Sequence, residues 1–264
     1  MGEGKPEMAI EILFLGTGSA EGIPAINCTC EHCRRARREN GKLAREREAV
    51  LFSLPGYDLL VGTPPEIRSL INKYEVKRLD GILATNADYG YIGGIKEFEY
   101  WHGPLDFLAE ENLFTLIKQE LWTDRLEKLM FHIPYYLGAS IYFGASSIIA
   151  FALRREPPSF GLSIKEGERR VIYAPDAPPV FTNYARRLMQ CCDILIVGTP
   201  VFEPDETKQH LSVEEALKLK DEVKARQLVL TSITHHNKPH DELEEWANKF
   251  QNVKVAYDGL KLSL

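Results

Sequence analysis

Apolar positions along this chain come in short runs separated by turn-forming residues and by amphipathic stretches. Residues 9–15, AIEILFL, predict a strand, and the GTGS that follows turns the backbone, with two glycines expected in conformations closed to other residues. Further strands are predicted at 49–54 and 57–61, joined by Pro55-Gly56, and at 81–85. The middle third predicts strands at 147–153, 160–164 and 169–173. The last third alternates, with strands at 193–197, 227–231, 253–256 and 260–264 and helices at 180–189, 212–223 and 241–250. Helices are also expected within 34–46, from Pro64 to Tyr74, near Ile92, and over much of 110–128. Strands and helices spread over the whole length predict an α/β fold with two sheets covered by helices, a four-layered αββα sandwich. No long linker or repeat interrupts the pattern, so residues 1–264 are read as one domain.

Charge and composition narrow the function classes. A formal net charge of −6 disfavours a broad nucleic-acid surface, and the basic run at 34–38, RRARR, reads as the wet side of a helix. No stretch is apolar and long enough to span a bilayer, and the first residues lack the apolar core of a secretion signal. A cytoplasmic protein with no membrane partner is the expectation. Five cysteines are an odd number, which argues against a disulfide scaffold. Cys191 and Cys192 read as buried small hydrophobes.

The chemistry concentrates at residues 27–33, NCTCEHC. Cys28, Cys30 and Cys33 place three soft ligands in a compact loop, and His235 or His236 can close a tetrahedral shell. A closed shell of three thiolates and one imidazole leaves no position for substrate, so this zinc is structural. His32 is too constrained between Cys30 and Cys33 to be a first ligand choice, and facing solvent it would be unremarkable. Ser212 and Glu215 form a capping box behind His210. Asn86 and Asp88 are placed to cap the helix expected near Ile92, while Tyr89, Tyr91, Tyr100 and Trp101 can pack as an aromatic group.

These residues resemble the metallo-β-lactamase superfamily, in the branch of pyrroloquinoline quinone biosynthesis protein B and the cyclic-phosphate phosphodiesterase of phosphonate breakdown. The likeness rests on residues 14–33, FLGTGSAEGIPAINCTCEHC, on LVGTPPEIR at 60–68, APD at 174–176, QHLS at 209–212 and TSITH at 231–235. It implies the αββα fold and a structural zinc on Cys28, Cys30, Cys33 and His235. It also implies a dinuclear centre whose usual His-x-His-x-Asp-His loop is replaced here by Asn86, Asp88, Gly90 and Tyr91. Another family histidine falls near Arg155, and the late one is Ser232. Asp176 matches the bridging carboxylate. Two adjacent cations need several anionic or imidazole ligands, and Asp88, Asp176 and His210 are a thin set for that.

Three readings follow. In the first, the chain is a divergent member with one structural zinc, whose cleft (Asn86, Asp88, Tyr91, Arg155, Asp176, His210, Ser232) binds a small polar or anionic molecule. In the second, Asp88, Asp176 and His210 are catalytic and hold a second metal, as a mononuclear hydrolase or an oxygen-dependent enzyme of cofactor biosynthesis. The third is a noncatalytic interaction protein using the aromatic and acidic region 97–120, for instance as a homodimer.

Overall fold

The computed structural model describes residues 10–153, 158–204 and 209–264. In chain order the strands are β1 (Glu11–Gly16), β2 (Ala49–Leu54), β3 (Tyr57–Val61), β4 (Gly81–Leu83), β5 (Leu105–Ala109), β6 (Met130–Pro134) and β7 (Ser140–Phe143). They continue as β8 (Ser146–Leu153), β9 (Ser159–Glu166), β10 (Arg169–Ala174), β11 (Ile194–Gly198), β12 (Gln227–Thr231), β13 (Val253–Val255) and β14 (Lys261–Ser263). The helices are α1 (Glu31–Glu39), α2 (Ile67–Lys73), α3 (Tyr89–Ile92), α4 (Glu111–Leu121), α5 (Asp124–Leu129), α6 (Asn183–Met189), α7 (Val213–Val223) and α8 (His240–Ala247).

Two seven-stranded mixed sheets form, in the orders β14-β1-β2-β3-β4-β5-β6 and β13-β12-β11-β10-β9-β8-β7. Period-two alternation explains why both faces of the second sheet are apolar. Val171, Tyr173, Ile194, Ile196 and Val229 join the core between the sheets. Their neighbours Ile172, Ala174, Leu195, Val197, Leu228 and Leu230 face the outer helices. Phe52 meets Tyr173 edge-on, with ring centroids 5.5 Å apart, across the inter-sheet core. The result is the αββα arrangement that the pattern predicts.

Several local expectations need correction. Gly16 and Gly18 are absent from the left-handed positions. Their requirement is closeness: a Cβ on Gly16 would lie 2.0 Å from the Arg47 carbonyl oxygen, and one on Gly18 3.0 Å from that of Glu46. The helix predicted over 110–128 is two, because Thr123 caps a second one through Leu126 N. Strands β5, β6 and β7 escape the sequence pattern; β5 and β6 are short and parallel. The last strand returns to the first sheet, pairing antiparallel with β1. Among the described residues, no helix is long and apolar enough to cross a membrane.

Candidate functional site: a thiolate–histidine clamp beside an acidic cleft

Cys30 precedes α1 with extended backbone, and its sulfur accepts from Cys33 N at 3.4 Å, so the first turn of α1 brings two sulfurs to one side. Arg37, one turn on, donates to the carbonyl oxygens of Cys28 at 2.5 Å and Ala25 at 2.9 Å, folding the preceding loop back over the helix. His235 arrives on the loop after β12. Its Nδ1 lies 3.5 Å from Cys28 Sγ and 3.6 Å from Cys30 Sγ. All four ligand atoms, Cys33 included, fall within 4.8 Å of one another. Zinc–sulfur bonds of about 2.3 Å and zinc–nitrogen bonds of about 2.0 Å at tetrahedral angles require sulfur–nitrogen edges of about 3.5 Å. The donor set therefore fits zinc in both chemistry and spacing. Burial pushes the Cys33 thiol up to about 12 in the metal-free chain. A bound cation reverses that preference, since a coordinating thiol is deprotonated.

His32 is buried, its ring enclosed beside the backbone of His235 and Asn237. Burial lowers its pKa and keeps the ring neutral. The basic run of α1 is an ion-paired surface, with Arg35 bonded to Asp241 at 2.7 Å and Arg34 to Glu31 at 2.9 Å. Cys192 is buried as expected, but Cys191 is exposed.

The cleft opens where strands of both sheets end, the position at which parallel strands present their following loops. Asp176 follows β10, Pro200 and Val201 follow β11, Ser232 follows β12, and Asp88 and Tyr91 come from the segment after β4. With Ser19, Ala20, Glu21, His210, Thr234 and His236 they enclose about 430 Å³. His210 is held near Asp176 by backbone pairing: Leu211 N donates to Ala177 O at 2.8 Å, and Val213 N to Val201 O at 3.0 Å. His210 Nδ1 stands 3.9 Å from Asp176 Oδ1, beyond direct hydrogen-bond distance. The capping box of Ser212 and Glu215 forms as predicted and fixes the start of α7.

The structure thus places Asp88, Tyr91, Asp176, His210 and Ser232 on one cleft. Asn86 sits just beneath, buried, with its Oδ1 accepting from Asp88 N at 3.0 Å. This is an Asx-type turn, and Asp88 makes no side-chain cap on α3. Arg155 lies outside the described residues. Tyr89 and Tyr100 are exposed, so they do not fill the cleft; Tyr91 is buried and does line it. Among the described residues, two groups of three or more histidine, cysteine or acidic side chains converge tightly enough for a metal: the Cys3His set, and Glu21 with His235 and His236. Asp88, Asp176 and His210 form no such group. Space also opposes a restored dinuclear loop, because a Cβ on Gly90 would lie 2.7 Å from the Ala20 Cβ.

Sequence reasoning missed the support under the cleft floor. Glu48, fully buried ahead of β2, has Oε2 within 3.1 Å of Ser232 N, 3.1 Å of Ser232 Oγ and 2.7 Å of Thr231 Oγ1. Tyr173 donates to Oε1 at 3.1 Å. Ser232 is held in the left-handed region at φ 52°, a conformation that side chains other than glycine rarely adopt. Burial raises the Glu48 carboxyl to about 7 against the lowering effect of these donors. The only trace in the sequence is one acidic residue directly before an apolar run.

A match to the beta-lactamase superfamily domain covers residues 55–233. The chain belongs to the metallo-β-lactamase superfamily, and it is related to the branch of PqqB and PhnP-like proteins. Coenzyme PQQ synthesis protein B of Methylobacterium radiotolerans is 23% identical, over 97% of this chain and 100% of that protein. A protein named octanoyltransferase from Porphyromonas gingivalis is 24% identical over 94% of this chain, which spans only 50% of that protein's length. In solved structures, the fold superposes on a diphosphatase from the PhnP family with a TM-score of 0.84, at 20% identity, covering 97% of this chain and 98% of the other. It also superposes on zinc-bound PqqB from Methylobacterium extorquens with a TM-score of 0.85, at 19% identity, covering 96% of this chain and all of the other.

Proposed function

We propose that this chain is a divergent PqqB-like protein in which zinc fastens the scaffold at Cys28, Cys30, Cys33 and His235, while the neighbouring cleft binds a small polar molecule. The observation carrying this reading is the contrast in convergence: the Cys3His atoms lie within 4.8 Å of one another, whereas Asp88, Asp176 and His210, the residues matching the family's dinuclear centre, make no comparable group. The cleft's character refines the ligand class. Glu21, Asp88 and Asp176 contribute three carboxylates among the described lining residues, with imidazoles from His210 and His236. That mix of hydrogen-bond acceptors and titratable rings supports a small polar ligand. In the ligand-bound cleft, Asp176 and Asp88 accept hydrogen bonds, His210 donates or accepts according to its protonation, and Ser232 offers a hydroxyl.

Titration calorimetry with amines, polyols, phosphates and quinones tests this. Saturable heat with one of these polar classes, weakened by Asp176→Asn, is the expected result. No saturable heat from any class contradicts it. The proximity of His210 to Asp176 supports a second reading, in which those two residues and Asp88 hold one divalent ion and the chain is a mononuclear hydrolase or oxygen-dependent enzyme. That reading requires a second stoichiometric metal that disappears in Asp176→Ala.

A further inference from the structure

Glu21 is assigned no role by the cysteine motif, yet it stands at the meeting point of clamp and cleft. Its Oε2 lies 2.9 Å from His235 Nε2. The other ring nitrogen, Nδ1, is the one facing the sulfurs of Cys28 and Cys30. The same glutamate lines the cleft, alongside Ser19 and Ala20 from its own loop and Ser232, Thr234 and His236 from the histidine loop. Those two loops are sewn together by backbone bonds, Ser19 N to Ile233 O at 3.1 Å and Ile233 N to Thr17 O at 3.1 Å. The histidine loop is pinned from behind, with Thr234 Oγ1 donating to Pro200 O at 2.6 Å and Asn237 Nδ2 to Thr199 O at 2.8 Å.

The geometry points to Glu21 as the positioning residue of the clamp, holding His235 with Nδ1 toward the thiolates and thereby linking zinc occupancy to the shape of the cleft wall. This inference rests on the zinc reading above. An imidazole has two nitrogens, and a ligating ring usually donates its second N–H to a carboxylate or carbonyl, which fixes tautomer and ring plane and raises the basicity of the ligating nitrogen. With Glu21 accepting from Nε2–H, Nδ1 presents a lone pair to the metal. Without that acceptor, the ring is free to rotate or to adopt the other tautomer, and this ordering cost falls on zinc binding. Coupling is reciprocal: whatever fixes Glu21 from the cleft side also favours the metal-ready ring.

Removing an outer carboxylate of this kind weakens metal binding roughly 10–100-fold. Glu21 is half-exposed, so solvent screening places the expected loss near the lower end, about tenfold. The experiment is competition for zinc between a chromophoric chelator and the full chain, for wild type, Glu21→Gln and Glu21→Ala. Metal-free melting temperatures, recorded in parallel, check that folding is intact. Glu21→Ala should bind zinc about tenfold more weakly with an unchanged metal-free melting temperature, and Glu21→Gln, which keeps a neutral acceptor, should fall between. In amide spectra, adding zinc to wild type should shift Ser19, Ser232 and Thr234, and the shifts should shrink in Glu21→Ala. Equal zinc affinities in all three proteins overturn the inference while leaving the clamp intact. A wild type that binds no zinc overturns both.

Discussion

Arg45 Nη2 lies 2.9 Å from His240 Nδ1, and both side chains are buried where the N-terminal loop meets the start of α8. The guanidinium donates, so the imidazole must accept through Nδ1 and is held neutral. Burial first, and the Arg45 charge second, lower the His240 pKa to about 4. Arg45 also donates to Thr17 Oγ1 and to Ala256 O, at 2.7 and 2.6 Å. The pair therefore ties β1, α8 and the last third of the chain together.

Two buried groups pull stability in opposite directions with pH. His240, whose pKa falls from 6.5 to about 4 on folding, makes stability rise as pH climbs through that window, because the unfolded chain binds the extra proton there. Glu48, whose pKa rises from 4.5 to about 7, makes stability fall between those values, because the folded chain keeps the proton. The two slopes oppose one another between about 4.5 and 6.5. Glu48→Gln should expose the rising slope and His240→Gln the falling one, each worth up to about 3 kcal/mol across its window. Urea midpoints measured at half-unit pH steps check this; unchanged profiles in both variants would contradict it.

Chelation should loosen the loops that carry the clamp. Free zinc at 1,000 times its dissociation constant stabilises the fold by about 4 kcal/mol, provided the unfolded chain binds it poorly. Cys28→Ser and chelator-treated wild type should therefore melt at similar, lower temperatures. Hydrogen exchange should speed up in residues 17–30 and 232–237 while the core of β10, β11 and β12 stays protected. Uniform exchange across both regions would count against a local clamp.

Restoring the family's metal loop should fail for want of room. Gly90→Asp combined with Asn86→His and Tyr91→His supplies donors, but the new Cβ at residue 90 meets Ala20 at 2.7 Å and Tyr91 is buried. Overpacking of this kind costs about 1–3 kcal/mol. Calorimetric melting and metal analysis should show a less stable protein with no gain of metal. A stable variant holding an added pair of metals would refute the steric argument.

Ser212→Ala removes the cap of α7, where Ser212 Oγ accepts from Glu215 N at 3.2 Å. A loss of about 1 kcal/mol is expected in chemical denaturation. The same change should weaken ligand binding in the cleft, because the segment just before the cap carries His210.

Self-association through the aromatic and acidic region remains a proposal with a definite face. Arg68, Ile71, Asn72, Glu97, Phe98, Tyr100 and Trp101 enclose about 590 Å³, and Tyr100 is exposed. Sedimentation over a hundredfold concentration range should show a dimer that Tyr100→Asp weakens; a strict monomer throughout would exclude it.

Much of the architecture was legible because burial on both faces of a sheet imposes near-continuous apolar runs on strands such as Ala49–Leu54 and Gln227–Thr231. The clamp was legible because cysteine spacing is a strong local signal, and the resemblance supplied the distant His235. What stayed hidden are long-range polar contacts. Glu48 reaches Thr231 and Ser232 across more than 180 positions of sequence, and Arg45 meets His240 across 195. Neither leaves a periodicity. Glu21 was invisible for the same reason, since its partner His235 comes from the far end of the chain. Gly90 shows why residue type alone misleads: it reads as a lost ligand, but the structure uses it for close approach to Ala20.

The division between a fastening zinc and a cleft without a metal pair is tested most directly by counting and locating metal in the gently purified protein, using elemental analysis with anomalous diffraction at the zinc edge. One zinc per chain, between Cys28, Cys30, Cys33 and His235 and lost in Cys28→Ser, is the predicted result. Two closely spaced metals between Asp88 and Asp176 would contradict it.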